Sequence, residues 1–261
     1  MACGSIVVPK SACSKPPLRL ETVLPDSGVR KSMNFHFLGQ DLAFPDPHLA
    51  NEDGLLAIGG DLSVARLQAA YSQGIFPWYS EDEPILWFSP DPRLTLLPHA
   101  LKVSKSMERT RRSGKFEIRF NSAFEAVMRR CSSIKRKGQE GTWITTDMIA
   151  AYAQLHRIGQ AHSVETFLDD KLVGGLYGVS LGRVFFGESM FHEVSDASKM
   201  ALWALCDQLC KWDFELIDCQ MSTPHLKSLG ATEMARGDFI EQVKVGTQRK
   251  APDGDWGLVE S

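Results

Sequence analysis

Two acids stand in this sequence where acids are costly. In Val184-Phe185-Phe186-Gly187-Glu188-Ser189-Met190-Phe191 one carboxylate interrupts an apolar, strand-like run. In Phe214-Glu215-Leu216-Ile217-Asp218-Cys219-Gln220, Asp218 is followed two residues on by the amide of Gln220. Side chains alternate between the faces of a strand, so Phe214, Leu216, Asp218 and Gln220 are expected to share one face. Burying an unpaired carboxylate is strongly unfavourable. Glu188 and Asp218 must therefore be paired, protonated or facing a cleft. The plainest alternative to a cleft is a strand-end ion pair with Lys199 or Arg183.

Other chemical patterns are weaker. His192-Glu193-Val194-Ser195-Asp196 begins like a zinc-protease helix but lacks the second His, so no metal is expected. Gly59-Gly60 and Gly174-Gly175 lack the strand-to-helix context or the Lys of a phosphate loop and read as turns or close contacts. Ser189 has no nucleophile elbow around it. His156 and His162 read as structural histidines. The six cysteines form no C-x-x-C pair, and Cys206 and Cys210, on one helix face, read as small apolar packing groups.

Charge is distributed unevenly. The whole chain carries a net −3, yet residues 102–137 hold twelve Lys/Arg against three acids. Such polarisation suits one surface to a polyanion, the alternative being a solvated helix face. No apolar run approaches the roughly 18–20 residues that span a bilayer. Ile6-Val7-Val8 is too short for a secretory core, so cytoplasmic residence without a membrane partner is expected.

The elements that must hold these groups are legible in outline. Residues 1–34 read as a flexible tail, and the functional chain is expected to start near Met33. Residues 35–92 read as a small N-terminal domain. In it Asp61 or Ser63 caps a helix carrying Val64, Leu67, Ala70 and Tyr71, and Gly74 stops it. Residues 93–247 form a larger domain and 248–261 a C-terminal tail. In the larger domain a strand is expected at 116–120, and a helix capped by Thr145 or Thr146 runs to His156. Three strands follow at 161–168, 172–180 and 183–191, turning at Asp169-Asp170 and Leu181-Gly182. Ser195 opens a helix to Trp212 with apolar residues on most faces, and the last strand is 214–220. The order β-β-β-α-β predicts an α+β fold, a mixed, largely antiparallel sheet crossed by a buried helix.

Several longer motifs then align with one family. Asn51-Glu52-Asp53-Gly54-Leu55-Leu56-Ala57-Ile58-Gly59-Gly60-Asp61-Leu62-Ser63 is similar to the leucyl/phenylalanyl-tRNA–protein transferases. So are Gly74-Ile75-Phe76-Pro77-Trp78, Trp87-Phe88-Ser89-Pro90-Asp91-Pro92-Arg93 and Gly141-Thr142-Trp143-Ile144-Thr145. Phe186 to Phe191, Leu216 to Gln220 and Ser228-Leu229-Gly230-Ala231 complete a match over about residues 35–243.

The resemblance implies an enzyme that moves Leu, Phe or sometimes Met from aminoacyl-tRNA to the N-terminal Arg or Lys of a protein, marking it for degradation. It implies an acetyltransferase-like (GNAT) core in the C-terminal domain, and no cofactor or metal. By similarity, Asp218 receives or electrostatically steers the amine proton, Gln220 orients the amine, and Glu188 holds the basic acceptor terminus. A path through the substrate's own ribose hydroxyl stays open. Leu176, Phe185, Met190, Leu202, Leu205, Leu209 and Ile217 match the aminoacyl pocket. Relatives carry Met at the position of Leu176 and Phe at those of Leu205 and Leu209, so a reshaped slot is expected. Trp78 and Trp143 match positions that stack on the terminal adenosine. Lys102, Lys105, Arg109, Arg111 and Arg112 are the expected tRNA-phosphate contacts. Two competing readings are a coenzyme-A-dependent N-acyltransferase and a non-enzymatic RNA-binding module. The first wants a glycine-rich pyrophosphate loop where His192 to Asp196 is acidic and glycine-free. The second leaves Glu188 and Asp218 without a reason to sit in apolar strands.

Overall fold

The computed structural model describes residues 36–133, 142–251 and Trp256. The expected tail of residues 1–34, Lys135, Arg136, Lys137 and most of the C-terminal tail lie outside the described residues.

A four-stranded sheet comes first, from β1 (His36–Leu38), β2 (Leu55–Gly59), β3 (Phe76–Pro77) and β4 (Leu86–Phe88) in the order β1-β2-β4-β3. Between β2 and β3 lies helix α1 (Val64–Tyr71). Ser63 caps it, its hydroxyl accepting from the Arg66 amide, while Asp61 in turn accepts from the Ser63 amide. Both expected capping residues therefore act, one on the other.

The second sheet has seven strands in the order β11-β5-β10-β9-β8-β7-β6. These are β5 (Arg93–Leu96), β6 (Glu117–Phe120), β7 (Ala161–Leu168), β8 (Lys171–Leu181), β9 (Val184–His192), β10 (Leu216–Gln220) and β11 (Thr232–Met234). The helices between them are α2 (Lys105–Arg112), α3 (Phe124–Ser133), α4 (Thr146–Arg157), α5 (Ala197–Lys211), α6 (Pro224–Ser228) and α7 (Arg236–Gln248). The β7-β8-β9 meander has tight turns at Asp169-Asp170, both with positive φ, and at Gly182. Within this sheet antiparallel pairing runs throughout except between β9 and β10, which are parallel and joined by the α5 crossover. A parallel pair needs such a connection. The expected α+β class, with a mixed and largely antiparallel sheet, is what the chain adopts.

Two apolar clusters lie on opposite faces of the large sheet. Tyr177, Val179, Phe186, Phe191 and Leu216 pack toward α1, α3, α4 and α7. Val164, Leu176, Phe185, Met190 and Ile217 pack toward α5. Expectation and structure part in three places. Helix α5 begins at Ala197, not Ser195, with Asp196 in the left-handed region at its cap. It is buried through Met200, Ala201, Leu202, Leu205 and Leu209, but Cys210 and Lys211 on its outer side are exposed. Phe214 precedes β10 and packs in the α5 cluster, opposite Leu216.

Candidate active site

β9 and β10 pair only over Val184–Phe186 and Leu216–Asp218. Beyond that point β9 runs on to His192 without β10 beside it, so the sheet opens at the C-terminal ends of its one parallel pair. Each strand carries an irregularity at the opening. Tyr177 pairs with Ser189 and Gly178 with Gly187, which leaves Glu188 as the extra residue of a bulge in β9. Asp218 and Gln220 oppose consecutive residues of β5, Thr95 and Leu94, which makes Cys219 the extra residue in β10. Bulges re-aim side chains. Here they turn Glu188 and Gln220 toward each other.

Glu188 is buried, with four groups drawn into one hydrogen-bonded network. Tyr71 on α1 donates to its Oε1 at 2.6 Å, and the Gln220 amide donates to the same oxygen at 3.0 Å. The Tyr152 hydroxyl on α4 lies 3.3 Å from Oε2 and also within hydrogen-bond reach of the Tyr71 hydroxyl, so its single proton is shared between those two acceptors. Burial pushes the Glu188 carboxyl up to about 7; the Tyr71 hydrogen bond opposes this and the Asp218 charge adds to it. The same burial and the Glu188 charge hold both tyrosines protonated, well above their ordinary range. They are therefore fixed donors.

Asp218 has a different environment. The guanidinium of Arg93 grips it bidentately, Nε to Oδ1 at 2.8 Å and Nη2 to Oδ2 at 2.7 Å. Neither residue is exposed to solvent. The Arg93 guanidinium is itself sandwiched between the rings of Phe76 and Phe239, 4.7 and 4.5 Å from their centroids. Asp218 Oδ1 also accepts the Gln220 backbone N–H at 2.8 Å. Gln220 sits at φ +61, a conformation that costs a non-glycine residue about 1–2 kcal/mol. The Asp218 side chain thus braces a strained turn, and that turn sends the Gln220 side chain to Glu188. Neither Lys199 nor Arg183 pairs with these acids. Lys199 holds Asp196 at 2.8 Å and Arg183 donates to the Lys250 carbonyl.

An open cleft lies over this network, lined by Phe76, Pro77, Trp78, Trp143, Glu188, Gln220 and Met221. The structure therefore brings together Trp78, Trp143, Glu188 and Gln220. Asp218 lies beneath the cleft, not in its wall. The seven apolar candidates, Leu176, Phe185, Met190, Leu202, Leu205, Leu209 and Ile217, all fall in the α5 cluster, each at most 3 % exposed. They are packed core on the far side of the β9–β10 opening, where the resemblance implied an aminoacyl pocket.

The five basic candidates are exposed on or just before α2. Arg111 pairs with Asp207 and lies over the Trp203 ring, and Arg112 pairs with Glu108. Exposed pairs of this kind are weak and exchangeable. Lys102, Lys105 and Arg109 form no ion pair among the described residues. His156 and His162 are structural: His156 Nδ1 lies 2.8 Å from the Ala161 carbonyl, and burial pushes His162 down to about 3. Cys206 is buried as expected, whereas Cys210 is exposed. Among the described residues no cluster of three or more His, Cys, Asp or Glu could hold a metal ion, and no helix is long and apolar enough to cross a membrane.

Sequence reasoning missed Arg93, Tyr71 and Tyr152. Arg93 closes the Pro92-Arg93 motif, and an Arg opening a strand of apolar neighbours needs a buried acid for the same reason that Asp218 needs a base. Tyr71 was legible as a buried helix residue, and a buried tyrosine hydroxyl usually seeks a partner.

Known proteins match the chain along most of its length. Residues 60–91 match the leucyl/phenylalanyl-tRNA protein transferase N-terminal domain, and residues 95–244 match leucyl/phenylalanyl-tRNA protein transferase. The leucyl/phenylalanyl-tRNA–protein transferase of Nitrosospira multiformis is 56% identical over 210 residues, 80% of this chain and 90% of that one. That of Anaeromyxobacter sp. (strain Fw109-5) is 52% identical over 226 residues, 87% and 96% of the two chains. Among solved structures, the ribosomal-protein-alanine N-acetyltransferase of Brucella melitensis aligns over 56% of this chain and 97% of its own, at 15% identity and a TM-score of 0.30. With more than half of its length in one family's model and relatives above 50% identity along most of it, the chain belongs to the leucyl/phenylalanyl-tRNA–protein transferase family.

Proposed function

We propose that this chain transfers Leu and Phe from aminoacyl-tRNA to the N-terminal Arg or Lys of cytoplasmic proteins, which are thereby marked for degradation. The observation that carries the reading is the cleft, where two tryptophans, one carboxylate and one amide meet above the β9–β10 opening. The terminal adenosine would stack on Trp78 and Trp143, a contact worth ~1–3 kcal/mol per base. Its aminoacyl group would pass through the opening into the Leu/Met-rich cluster under α5. That cluster must part to admit it, and flexible Met190 suits such adjustment. The division into residues 35–92 and 93–247 is part of the proposal, supported by the separate sheets.

The chemistry is aminolysis of an activated ester. The acceptor's α-amino nitrogen bonds to the carbonyl carbon, the ester C–O bond breaks, and a proton passes from nitrogen to the departing ribose oxygen. An α-amino group has a pKa of ~7.7–8.0, so a usable fraction is neutral at physiological pH. Correct orientation can supply up to ~7–11 kcal/mol. Glu188 is the one carboxylate lining the cleft among the described residues and would pair with the cationic acceptor side chain. Gln220, locked by Asp218, would orient the amine. With both oxygens held by Arg93, Asp218 suits steering and bracing better than taking a proton.

The deciding experiment supplies leucyl-tRNA with a peptide beginning in Arg and another beginning in Ala, and separately supplies acetyl-coenzyme A. Transfer from tRNA to the Arg peptide alone is expected. Acetylation instead would favour the acyltransferase reading. Against it, the approach to α5 offers no glycine-rich loop, and its cations Arg130 and Lys199 are already paired with Glu193 and Asp196.

Two variants probe the partners. Lys105→Glu with Arg109→Glu is expected to weaken tRNA binding and flatten the slope of log K against log salt by roughly one or two units. An unchanged slope would place the RNA on another surface. Leu205→Phe adds bulk to a position 1 % exposed, at a cost of about 1–3 kcal/mol. It should narrow the slot and change the Leu:Phe transfer ratio; identical ratios would remove Leu205 from the pocket.

A further inference from the structure

Trp256 lies twelve residues beyond the region matched to the family, yet it packs against the cluster that contains all seven aminoacyl-pocket candidates. Its indole stacks on the His162 ring, centroids 3.9 Å apart and planes 8° from parallel. It meets Trp212 edge-on at 4.9 Å and Phe214 at 6.2 Å. Its fourth ring contact, at 5.9 Å, is Phe185.

Phe185 is boxed in. A Cβ at Gly178 would stand 2.6 Å from Phe185 Cε1, so the ring lies directly on the β8 backbone. It cannot retreat in that direction. Trp256 bounds it on another side. His162 does not yield either, since Asn121 Nδ2 and the Gly159 carbonyl lie 3.1 Å from its two ring nitrogens.

We propose that Trp256 is a specificity-determining positioning residue. It fixes the Phe185 ring and so sets the size of the slot that accepts the aminoacyl side chain. The proposal rests on the aminoacyl-transfer reading given above. With the indole removed, the Phe185 ring can swing into the vacated volume and away from α5. The slot widens, and the bulkier Phe gains on Leu.

The test uses the full chain and two readouts. One is transfer from leucyl-tRNA and phenylalanyl-tRNA. The other is calorimetric binding of non-hydrolysable amide analogues of 3′-leucyl- and 3′-phenylalanyl-adenosine. In Trp256→Ala the Phe:Leu ratio is expected to rise about three- to tenfold in both readouts, a part of the roughly 10–200-fold that one methylene of fit can be worth. Trp256→Leu, which refills part of the space, should shift it less. A ratio within one preparation is insensitive to the fraction folded, so loss of stability alone does not move it. Unchanged ratios in Trp256→Ala, while the parent still discriminates, overturn the positioning role and leave the transfer reading standing. A parent that neither binds the analogues nor transfers overturns both.

Discussion

Glu188→Gln is expected to make the protein more stable and less active at once. The folded carboxyl titrates at about 7 against an ordinary 4.5, chiefly because it is buried. Below pH 4.5 it is protonated in both folded and unfolded chains and contributes no difference. As pH rises from 4.5 toward 7 the unfolded chain releases this proton first, so stability falls; above 7 the penalty is constant. A tenfold difference in proton affinity between the folded and unfolded chains corresponds to about 1.4 kcal/mol, which sets an expected gain for Gln of about 1–3 kcal/mol at pH 8 and close to none at pH 4.5. Urea unfolding at the two pH values measures it. The same substitution removes the negative charge from the cleft. Hydrogen bonds to charged groups contribute about 1.5–3 kcal/mol, so kcat/KM for an Arg-initiated peptide should fall by about ten- to a hundredfold, mostly through KM of the peptide. An equal stability gain at both pH values would show that Glu188 does not ionise in this range. An unchanged KM would move acceptor recognition elsewhere.

The opposed effects have a single source, and they show which parts of the site were readable from sequence. The cost of a carboxylate in an apolar strand singled out Glu188 and Asp218, and the turn residues Asp169, Asp170 and Gly182 delimited the strands around them. The side chains that settle those costs were not readable. Arg93 is 125 residues from Asp218 and Tyr71 is 117 from Glu188, so neither pairing leaves a local periodicity. Alternation on β10 held for Leu216 and Asp218, was interrupted by the bulge at Cys219 before Gln220, and failed for Phe214, which lies before the strand begins. The bulge at Glu188 has no clear signature in its own residues, since it is defined by the register of β8. Caps fared better: the Thr145 hydroxyl accepts from the Met148 amide three residues on, a contact carried by local sequence. What could be inferred was local or followed from desolvation. What could not was the choice of partner across the sheet.

That choice is sharpest at Arg93, where stability and turnover should separate. Arg93→Met leaves Asp218 charged, buried and unpaired, and breaking such a pair costs about 3–5 kcal/mol. Adding Asp218→Leu removes the orphaned charge, and buried pairs replaced by apolar residues often lose nothing, so the double variant should regain most of that stability. Turnover should not follow. Asp218 Oδ1 accepts the Gln220 backbone N–H, and without it the left-handed turn at Gln220 loses its brace and the Gln220 side chain its fixed approach to Glu188. The double variant is therefore expected to fold more stably than Arg93→Met, short of the parent by about 1 kcal/mol for the lost Gln220 hydrogen bond, and to bind tRNA comparably. Its transfer of Leu should be slower by about a hundredfold or more, as when a group that orients the nucleophile is misplaced. Chemical unfolding, filter binding and single-turnover transfer make the comparison. Near-parental turnover in the double variant would mean that Gln220 is held by something other than the Arg93–Asp218 pair. If stability failed to return, the pair would have to act through the Phe76 and Phe239 rings that enclose its guanidinium, and not through its charge.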